Sequence, residues 1–220
     1  MARSGTPTAP PCLAPTQAVI AEAAGVILEG GLVGLPTDTV YGLAADATSD
    51  DAVAGVFRAK GRPPEKPLIA LVATRAMAAA CADFSAPARA LAREFWPGPL
   101  TLVLPRAARS PLSPLVHRGA PGVSLRIPGN ETARAVVEAA ARPLTAPSAN
   151  PSGAPSPLTA AEVAAGLGAH VALVIDGGLA DGSLASTLLD LTGATPRLLR
   201  PGVVTAEAVE RVIGPIDRGV

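Results

Sequence analysis

The feature that most constrains the fold is a series of short apolar runs, each followed by proline, glycine or polar residues. The run from Leu32 to Leu35, for example, stops at Pro36, whose ring cannot donate a hydrogen bond to a neighbouring strand. Runs of this length, bounded by turn residues, are typical of buried strands. The other runs cover residues 68–72, 100–104, 123–127, 144–146, 171–175, 187–191 and 197–199. The chain is therefore predicted to contain many short strands.

Segments with helical spacing alternate with these runs. Apolar residues recur at helical spacing over residues 17–29, and Gly30 then supplies a C-terminal stop. Thr159 and Glu162 match a capping box at the start of another helix. Further helices are predicted at residues 49–59, 85–96, 131–141 and 205–213. Because several strand-to-strand connections are too short to hold a crossover helix, we expect an α/β fold with an open, twisted, mixed parallel and antiparallel sheet and flanking helices.

Composition and charge limit the classes of function. Hydrophobic residues make up 49% of the 220 residues, which fits a globular protein. The 18 basic residues equal the 18 acidic ones, so a polyanion would have to meet a local basic patch. Two cysteines, Cys12 and Cys81, make neither a metal-ligand cluster nor a disulfide framework. With no apolar run long enough to span a bilayer, we expect a soluble, cytoplasmic protein without membrane contact.

The first fifteen residues contain four prolines and no continuous apolar segment. This composition predicts a flexible N-terminal tail over residues 1–15. One domain is predicted over residues 16–214, with a C-terminal tail at 215–220, because no linker long enough to separate two domains follows residue 15.

The motifs of several enzyme classes are absent from the sequence. There is no G-x-x-x-x-G-K-[ST] phosphate loop, no G-x-G-x-x-G after a strand, no H-E-x-x-H and no G-x-S-x-G. His117 and His170 are the only histidines. A histidine-based triad is therefore not expected, and no protein metal site is predicted.

Polar residues follow the predicted strands, at the positions where open α/β sheets place their ligands. Lys60, Arg62, Arg126 and Arg200 could give positive charge to phosphates or a carboxylate. Side chains that could orient a small polar ligand are Thr37, Thr39, Ser148, Ser186 and Asn150. Each short run is equally compatible with an ordinary turn, and a lone K-G-R after a helix also complements the helix dipole. Residue chemistry alone therefore predicts an anion site and no more.

The order of the short motifs resembles a known family. They are PTDTVYGL at 36–43, KGRP at 60–63, KPL at 66–68, WPGPLTLVL at 96–104, LRIP at 125–128, PSAN at 147–150, a Ser-Thr pair at 186–187 and LRPG at 199–202. In this order and spacing they resemble the YrdC-like domain of threonylcarbamoyl-AMP synthases, over about residues 16–213. The resemblance implies an open, twisted α/β domain with a concave, positively charged cavity. The chain resembles the short, single-domain form of that family.

The resemblance also implies an activity. Family members form L-threonylcarbamoyladenylate and pyrophosphate from L-threonine, bicarbonate and ATP, for N6-threonylcarbamoyladenosine at position 37 of ANN-decoding tRNAs. No covalent enzyme intermediate is required, and Mg²⁺ would be bound mainly through the ATP phosphates. The implied partners are a possible tRNA contact and the proteins of a tRNA threonylcarbamoyl-transferase complex.

Site roles carry over from the family by position in the motifs. The threonine-binding set would be Thr39, Arg126, Ser148 and Ser186. The ATP-binding set would be Lys60, Arg62, Lys66, Asn150 and Arg200, with Lys60 and Arg62 taken as catalytic. Some relatives carry a histidine where this chain has Leu71, so that threonine contact is expected to be missing or replaced.

Two other functions remain open from the sequence. One is a YrdC-like RNA-binding or ribosome-associated protein that keeps the cavity but lacks synthase activity. The other is a carbamoyl-adenylate-handling domain of the hydrogenase-maturation type, whose accompanying zinc-finger and acylphosphatase parts do not occur in this sequence. The retained KGR, PSAN and Ser-Thr motifs favour the synthase.

Overall fold

The computed structural model describes residues 9–180, 182 and 184–219. The strands are β1 Cys12–Leu13, β2 Val33–Leu35, β3 Gly42–Ala44, β4 Ile69–Leu71, β5 Leu100–Pro105, β6 Gly122–Arg126, β7 Leu144–Thr145, β8 Leu173–Ile175, β9 Thr187–Asp190 and β10 Arg197–Arg200. The helices are α1 Gln17–Leu28, α2 Asp50–Lys60, α3 Arg75–Cys81, α4 Ala86–Phe95, α5 Pro114–His117, α6 Glu131–Ala140, α7 Ala160–Leu167 and α8 Ala206–Ile213.

Side-chain caps set where the helices begin. The Ser49 hydroxyl accepts from the Ala52 N–H at the start of α2, and Asp50 adds negative charge to the first turn, where the helix dipole favours it. The helix ends at Gly61, whose φ of 56° is left-handed and suits glycine. This termination places Lys60 on the last turn of α2 and Arg62 in the loop that follows.

The strands form two mixed sheets. The first has the order β1-β8-β2-β3, and the second has the order β10-β9-β5-β6-β4-β7. Parallel pairs such as β2 with β8 and β5 with β9 lie beside antiparallel pairs such as β2 with β3 and β5 with β6. The predicted α/β class with mixed strand pairing is confirmed, with the strands divided between two sheets.

Backbone hydrogen bonds join the two sheets edge to edge, between β3 and β7. The Thr145 N–H donates to the Ala45 carbonyl over 2.9 Å, and the Leu43 N–H donates to the Pro147 carbonyl over 2.8 Å. An isolated bridge pairs Gly42, the first residue of β3, with Ser148, which follows β7. We call this junction the seam. It brings the segment before β3 and the segment after β7 together, and both carry sequence motifs.

Helices cover the sheets and bury their apolar residues. α1 packs against α6, β2 and β8, with Ile27, Val137 and Ile175 fully buried in the shared core. A larger core lies around β5, where alternate leucines such as Leu102 are fully buried. Burial of this apolar surface is the main favourable term for the fold and leaves the strand ends as fixed supports.

The predicted helices and strands are confirmed, with ends that differ by at most two residues. The predicted tail is wrong at Cys12 and Leu13, which form β1 and pair in parallel with Val174 and Ile175 of β8. Edge pairing there satisfies backbone groups of β8 that would otherwise lack partners. Residues 1–8 of the predicted tail lie outside the described residues.

The sequence does not predict the strand β3 or the helices α3 and α5. Among the described residues, no helix is both long and apolar enough to cross a membrane.

Candidate functional site

A cavity of about 160 Å³ lies at the seam between the two sheets. Its wall is formed by Thr37, Thr39, Val40, Gly42, Arg62, Pro67, Leu68, Ile69, Leu71, Arg126, Ala146, Pro147, Ser148, Ser156, Ala185, Ser186 and Arg200. These residues come from the ends of β3, β4, β6, β7 and β10 and from the loops beside them. Polar groups cluster on one part of the wall, and β4 contributes apolar side chains to another.

Arg126 is the most firmly held cation of the cavity. It ends β6, is only 5% exposed, and donates from Nε to the Gly98 carbonyl and from Nη1 to the Thr39 hydroxyl, each over 3.0 Å. Its Nη2 lies 2.6 Å from Asp38 Oδ1 in an ion pair. The two Asp38 oxygens are buried and accept no hydrogen bond with good geometry from the described residues, so the charge of Arg126 is their main compensation.

The hydroxyls of Thr37 and Thr39 form a chain that ends on Arg126. The Thr37 hydroxyl donates to the Val40 carbonyl over 2.6 Å and lies 3.0 Å from the Thr39 hydroxyl. Since a hydroxyl has one hydrogen, Thr39 must be the donor to Thr37. The Thr39 oxygen accepts from Arg126 and keeps one lone pair. That lone pair can accept an N–H from a ligand.

Ser186 and Arg200 form a second polar group. Arg200 donates from Nε and Nη2 to the Ser186 carbonyl over 3.1 and 2.8 Å, and from Nη2 to the Ser186 hydroxyl over 3.1 Å. The buried Thr101 hydroxyl lies 2.9 Å from that of Ser186. Burial lowers the pKa of Arg200, and the charge of Arg126 lowers it further. The guanidinium has no acidic partner among the described residues.

Arg62 is held by the backbone of the loop after α2. It donates from Nη2 to the Pro67 carbonyl over 2.9 Å and more weakly from Nε to the Lys66 carbonyl over 3.4 Å. Burial lowers its pKa. Lys66 itself is exposed and lies outside the cavity wall, so the structure does not bring its ammonium to the site.

Lys60 and Asn150 lie behind the cavity wall. Lys60 Nζ donates to the Ser148 and Asn150 carbonyls, each over 2.5 Å, and lies 3.4 Å from Asn150 Oδ1. The Asn150 amide donates to the Pro151 and Ala154 carbonyls. Burial, followed by repulsion from Arg62, lowers the pKa of Lys60 to about 8. Both side chains are committed to protein groups.

The predicted site is therefore assembled in part. Six of the predicted residues line one cavity: Thr39, Arg62, Arg126, Ser148, Ser186 and Arg200. Lys60, Lys66 and Asn150 do not line it. Leu71 does line it, fully buried at the end of β4, so the position expected to lack the histidine faces the cavity.

Sequence reasoning missed the supporting roles of Asp38, Gly98 and Thr101. Asp38 looked like an ordinary turn residue, and nothing in the sequence indicates that its carboxylate meets Arg126. The Gly98 carbonyl is a backbone group, and Thr101 lies inside an apolar strand run, so neither gives a sequence signal.

The charge balance of the site favours an anion. Lys60, Arg62, Arg126 and Arg200 are set against one carboxylate, Asp38, and no described residue of the cavity wall carries a carboxylate. Uncompensated cations held in a partly dry cavity bind anions more strongly than exposed ones do. The arrangement can bind a carboxylate and phosphates and align a small polar molecule between them.

Comparison with known proteins identifies relatives over most of the chain. The Sua5/YciO/YrdC family model, described as "Telomere recombination", matches residues 25–202. The chain is 45% identical over 195 residues to the threonylcarbamoyl-AMP synthase of Pyrococcus abyssi and 42% identical over 207 residues to that of Bacillus subtilis. These matches cover 88% and 91% of this chain, but only 57% and 59% of the two relatives. The chain thus spans less than two thirds of their length.

The fold is also similar to a solved structure. The crystal structure of P. abyssi Sua5 complexed with L-threonine superposes with a TM-score of 0.87 at 44% sequence identity. The match covers 90% of this chain and 58% of that chain.

Proposed function

This chain belongs to the Sua5/YciO/YrdC family, and we propose that it is a threonylcarbamoyl-AMP synthase, which joins L-threonine, bicarbonate and ATP. The observation that carries the proposal is the seam cavity, where the fixed Arg126 and the Thr39 lone pair lie beside the uncompensated Arg62 and Arg200. The part of the cavity at Arg126 and Thr39 suits an amino acid, and the part at Arg62 and Arg200 suits phosphates.

In the proposed site, threonine binds at Arg126. Its carboxylate would take the guanidinium N–H groups that remain after the bonds to Gly98 and Thr39 and the ion pair with Asp38, in a charge-assisted contact. Its amino group would donate to the Thr39 oxygen. The Ser148 and Ser186 hydroxyls line the same cavity and would orient the threonine hydroxyl.

The threonine methyl group requires an apolar contact. Val40, Ile69 and Leu71 supply apolar surface in the same wall. Leu71 stands where some relatives carry a polar histidine, and it would replace a hydrogen bond with a packing contact. Threonine is therefore proposed to be preferred over serine through this contact.

The reaction needs positioning more than a chemical group from the protein. The neutral threonine amine adds to the carbon of bicarbonate, and loss of water leaves an N-carboxylate. An oxygen of that carboxylate then attacks the α-phosphorus of ATP, and the bond from this phosphorus to the bridging oxygen breaks as pyrophosphate leaves. Arg62 and Arg200 would stabilise the charge on the phosphates, and Arg126 would hold the attacking molecule.

Mg²⁺ is proposed to enter with ATP. Among the described residues there is no cluster of three or more His, Cys, Asp or Glu side chains that could hold a metal ion. The oxygen donors of the cavity wall are hydroxyls such as those of Ser148 and Ser186 and backbone carbonyls, which fit an ion that keeps phosphates and water as its main ligands. Bound in this way, Mg²⁺ would neutralise charge on the leaving phosphates.

The size of the cavity limits what it can enclose. Its volume of about 160 Å³ is smaller than the roughly 300 Å³ at which pockets for drug-sized ligands begin. We therefore propose that it encloses threonine and the reacting phosphate, while the nucleoside lies outside the wall.

The proposed product is a mixed anhydride, which reacts readily with nucleophiles. A transferase that moves the threonylcarbamoyl group to adenosine 37 of tRNA must therefore consume it soon after release. Contact with tRNA, with the proteins of such a transferase complex, and a cytoplasmic location where ATP and tRNA occur are parts of the same proposal.

Pyrophosphate release tests the proposal. We expect release only when ATP, threonine and bicarbonate are all present, with each omission serving as a control. Arg126→Lys, which keeps a positive charge beside the buried Asp38 carboxylate but loses the planar guanidinium, should raise the threonine KM roughly tenfold to a hundredfold, because hydrogen bonds to charged groups contribute about 1.5–3 kcal/mol. A protein that binds RNA without releasing pyrophosphate, or that hydrolyses ATP without threonine, would refute the synthase.

A further inference from the structure

Lys60 is a buried cation whose bonds all run to one loop. The residue is 3% exposed, and its ammonium contacts three oxygens of the segment 148–150. The backbone adds a fourth link, since the Lys60 carbonyl accepts from the Ser152 N–H over 2.7 Å. The end of α2 is therefore tied to this loop through both side chain and main chain.

The other hydrogen bonds of this loop involve different groups, among them the Asn150 side-chain amide and the Pro147 carbonyl. The Ala149 N–H donates to the Tyr41 carbonyl over 2.8 Å, and Ser148 bridges to Gly42 at the seam. For the Asn150 carbonyl, Lys60 is the donor that the structure shows. A buried carbonyl that loses its donor costs about 1–3 kcal/mol.

The number of donors on an ammonium decides what Lys60 can still bind. An ammonium has three N–H groups and no acceptor, and here three oxygens of Ser148 and Asn150 lie within bonding distance. A phosphate could reach Nζ only by displacing one of them. Arg62 and Arg200, in contrast, line the cavity and each has one Nη nitrogen with no partner among the described residues.

We propose that Lys60 is a positioning residue, which fixes the Ser148 and Asn150 carbonyls so that the Ser148 hydroxyl faces the cavity. Lys60 then affects the reaction only by holding Ser148 in position, and it does not bind phosphate. Two experiments test this inference. The first measures hydrogen exchange and does not depend on the proposed function. The second measures KM values for the substrates and therefore rests on the proposed function.

The structural test compares hydrogen exchange in two variants. Lys60→Met and Arg58→Met each remove a cation from the last turn of α2, but Arg58 is exposed and makes no side-chain hydrogen bond among the described residues. We expect exchange at the Ala149, Asn150 and Ser152 amides to speed up about tenfold or more in Lys60→Met only, since a change of 1.4 kcal/mol is tenfold.

Equal protection of these amides in Lys60→Met and in the wild type would overturn the inference. If Lys60→Met does not fold, Lys60→Gln keeps an N–H donor on a similar stem, and it should show the same local change to a smaller degree. A Gln variant with wild-type exchange and wild-type kinetics would likewise overturn it.

The second experiment compares the threonine KM and the ATP KM of Lys60→Met with those of the wild type. Displacement of Ser148 should raise the threonine KM about tenfold in Lys60→Met, since loss of one well-placed hydrogen bond costs about 1.4 kcal/mol. A phosphate ligand would instead raise the ATP KM and leave the threonine KM unchanged, and that result would refute the positioning role. A wild-type protein without synthase turnover would contradict the proposed function while leaving the exchange result to decide the inference.

Discussion

The arginines of the cavity differ in whether they have an acidic partner among the described residues: Arg126 pairs with Asp38, and Arg62 and Arg200 have none. Arg126 is paired with its carboxylate and fixed by two further hydrogen bonds, so it can give direction to a ligand while adding little net charge. Arg62 and Arg200 bind only backbone carbonyls and one hydroxyl, and burial lowers the pKa of each. The paired arginine suits a substrate that must be aligned, and the unpaired ones suit a substrate rich in negative charge.

Replacing Arg62 by glutamine tests this division. We expect affinity for a non-hydrolysable ATP analogue to fall about tenfold to a hundredfold, since hydrogen bonds to charged groups contribute about 1.5–3 kcal/mol. The melting temperature should stay close to that of the wild type, because the side chain ties down only two loop carbonyls. Calorimetric titration measures the affinity, and Arg58→Gln on the exposed side of α2 serves as the control.

An Arg62→Gln variant that binds nucleotide as tightly as the wild type would show that the unpaired arginines do not hold phosphate. A variant that loses the fold would show that Arg62 has a structural role that its two carbonyl contacts do not reveal.

At the scale of elements, close backbone packing at strand ends places the hydroxyl groups. Gly202 follows β10, and a Cβ atom there would lie 2.3 Å from the Ala185 carbonyl oxygen and 2.5 Å from the Thr187 nitrogen. No side chain fits at these distances. The glycine of the LRPG motif therefore lets the chain pass directly beside Ser186.

Gly202→Ala should displace Ser186 and reduce synthase turnover at least about tenfold, because small displacements of a positioning group cost large factors in rate. Gly193→Ala is the matched control between β9 and β10, since the nearest atom to a Cβ there is the Thr195 carbonyl oxygen at 3.9 Å. Turnover and urea unfolding are measured for both. Equal turnover in the two variants would contradict the packing argument.

The elements that could be predicted from sequence are those with a local signal. Apolar runs ended by turn residues gave most strands, and capping side chains such as Thr159 marked helix starts. β3 gives a weak signal because Gly42 and Ala44, two of its three residues, are of types depleted in strands. Cys12 and Leu13 become a strand only because distant β8 offers an edge, a contact that no local pattern encodes.

For the site, the sequence predicts which residues come together but not how their side chains are oriented. Polar residues at strand ends do converge, so Thr39, Arg126 and Ser186 line one cavity as expected. A sequence shows that a cation is present but not where its N–H groups point. For this reason the sequence predicts an ATP contact for Lys60, whereas only the structure shows that its ammonium donates to the Ser148 and Asn150 carbonyls.

At the scale of the whole molecule, a chain with equal numbers of acidic and basic residues concentrates positive charge in one place. The seam makes this possible, since it joins two sheets whose strand ends carry the cations and hydroxyls. Apolar cores on both sides hold the sheets rigid. The proposed chemistry therefore takes place at the junction of the sheets.

We propose that this junction joins threonine, bicarbonate and ATP, and mass spectrometry of the product made from ¹³C-labelled bicarbonate tests this directly. We expect an adenylate that contains both threonine and the labelled carbon, and loss of this product when threonine is omitted. AMP or ADP formed without any labelled threonine adenylate would contradict it.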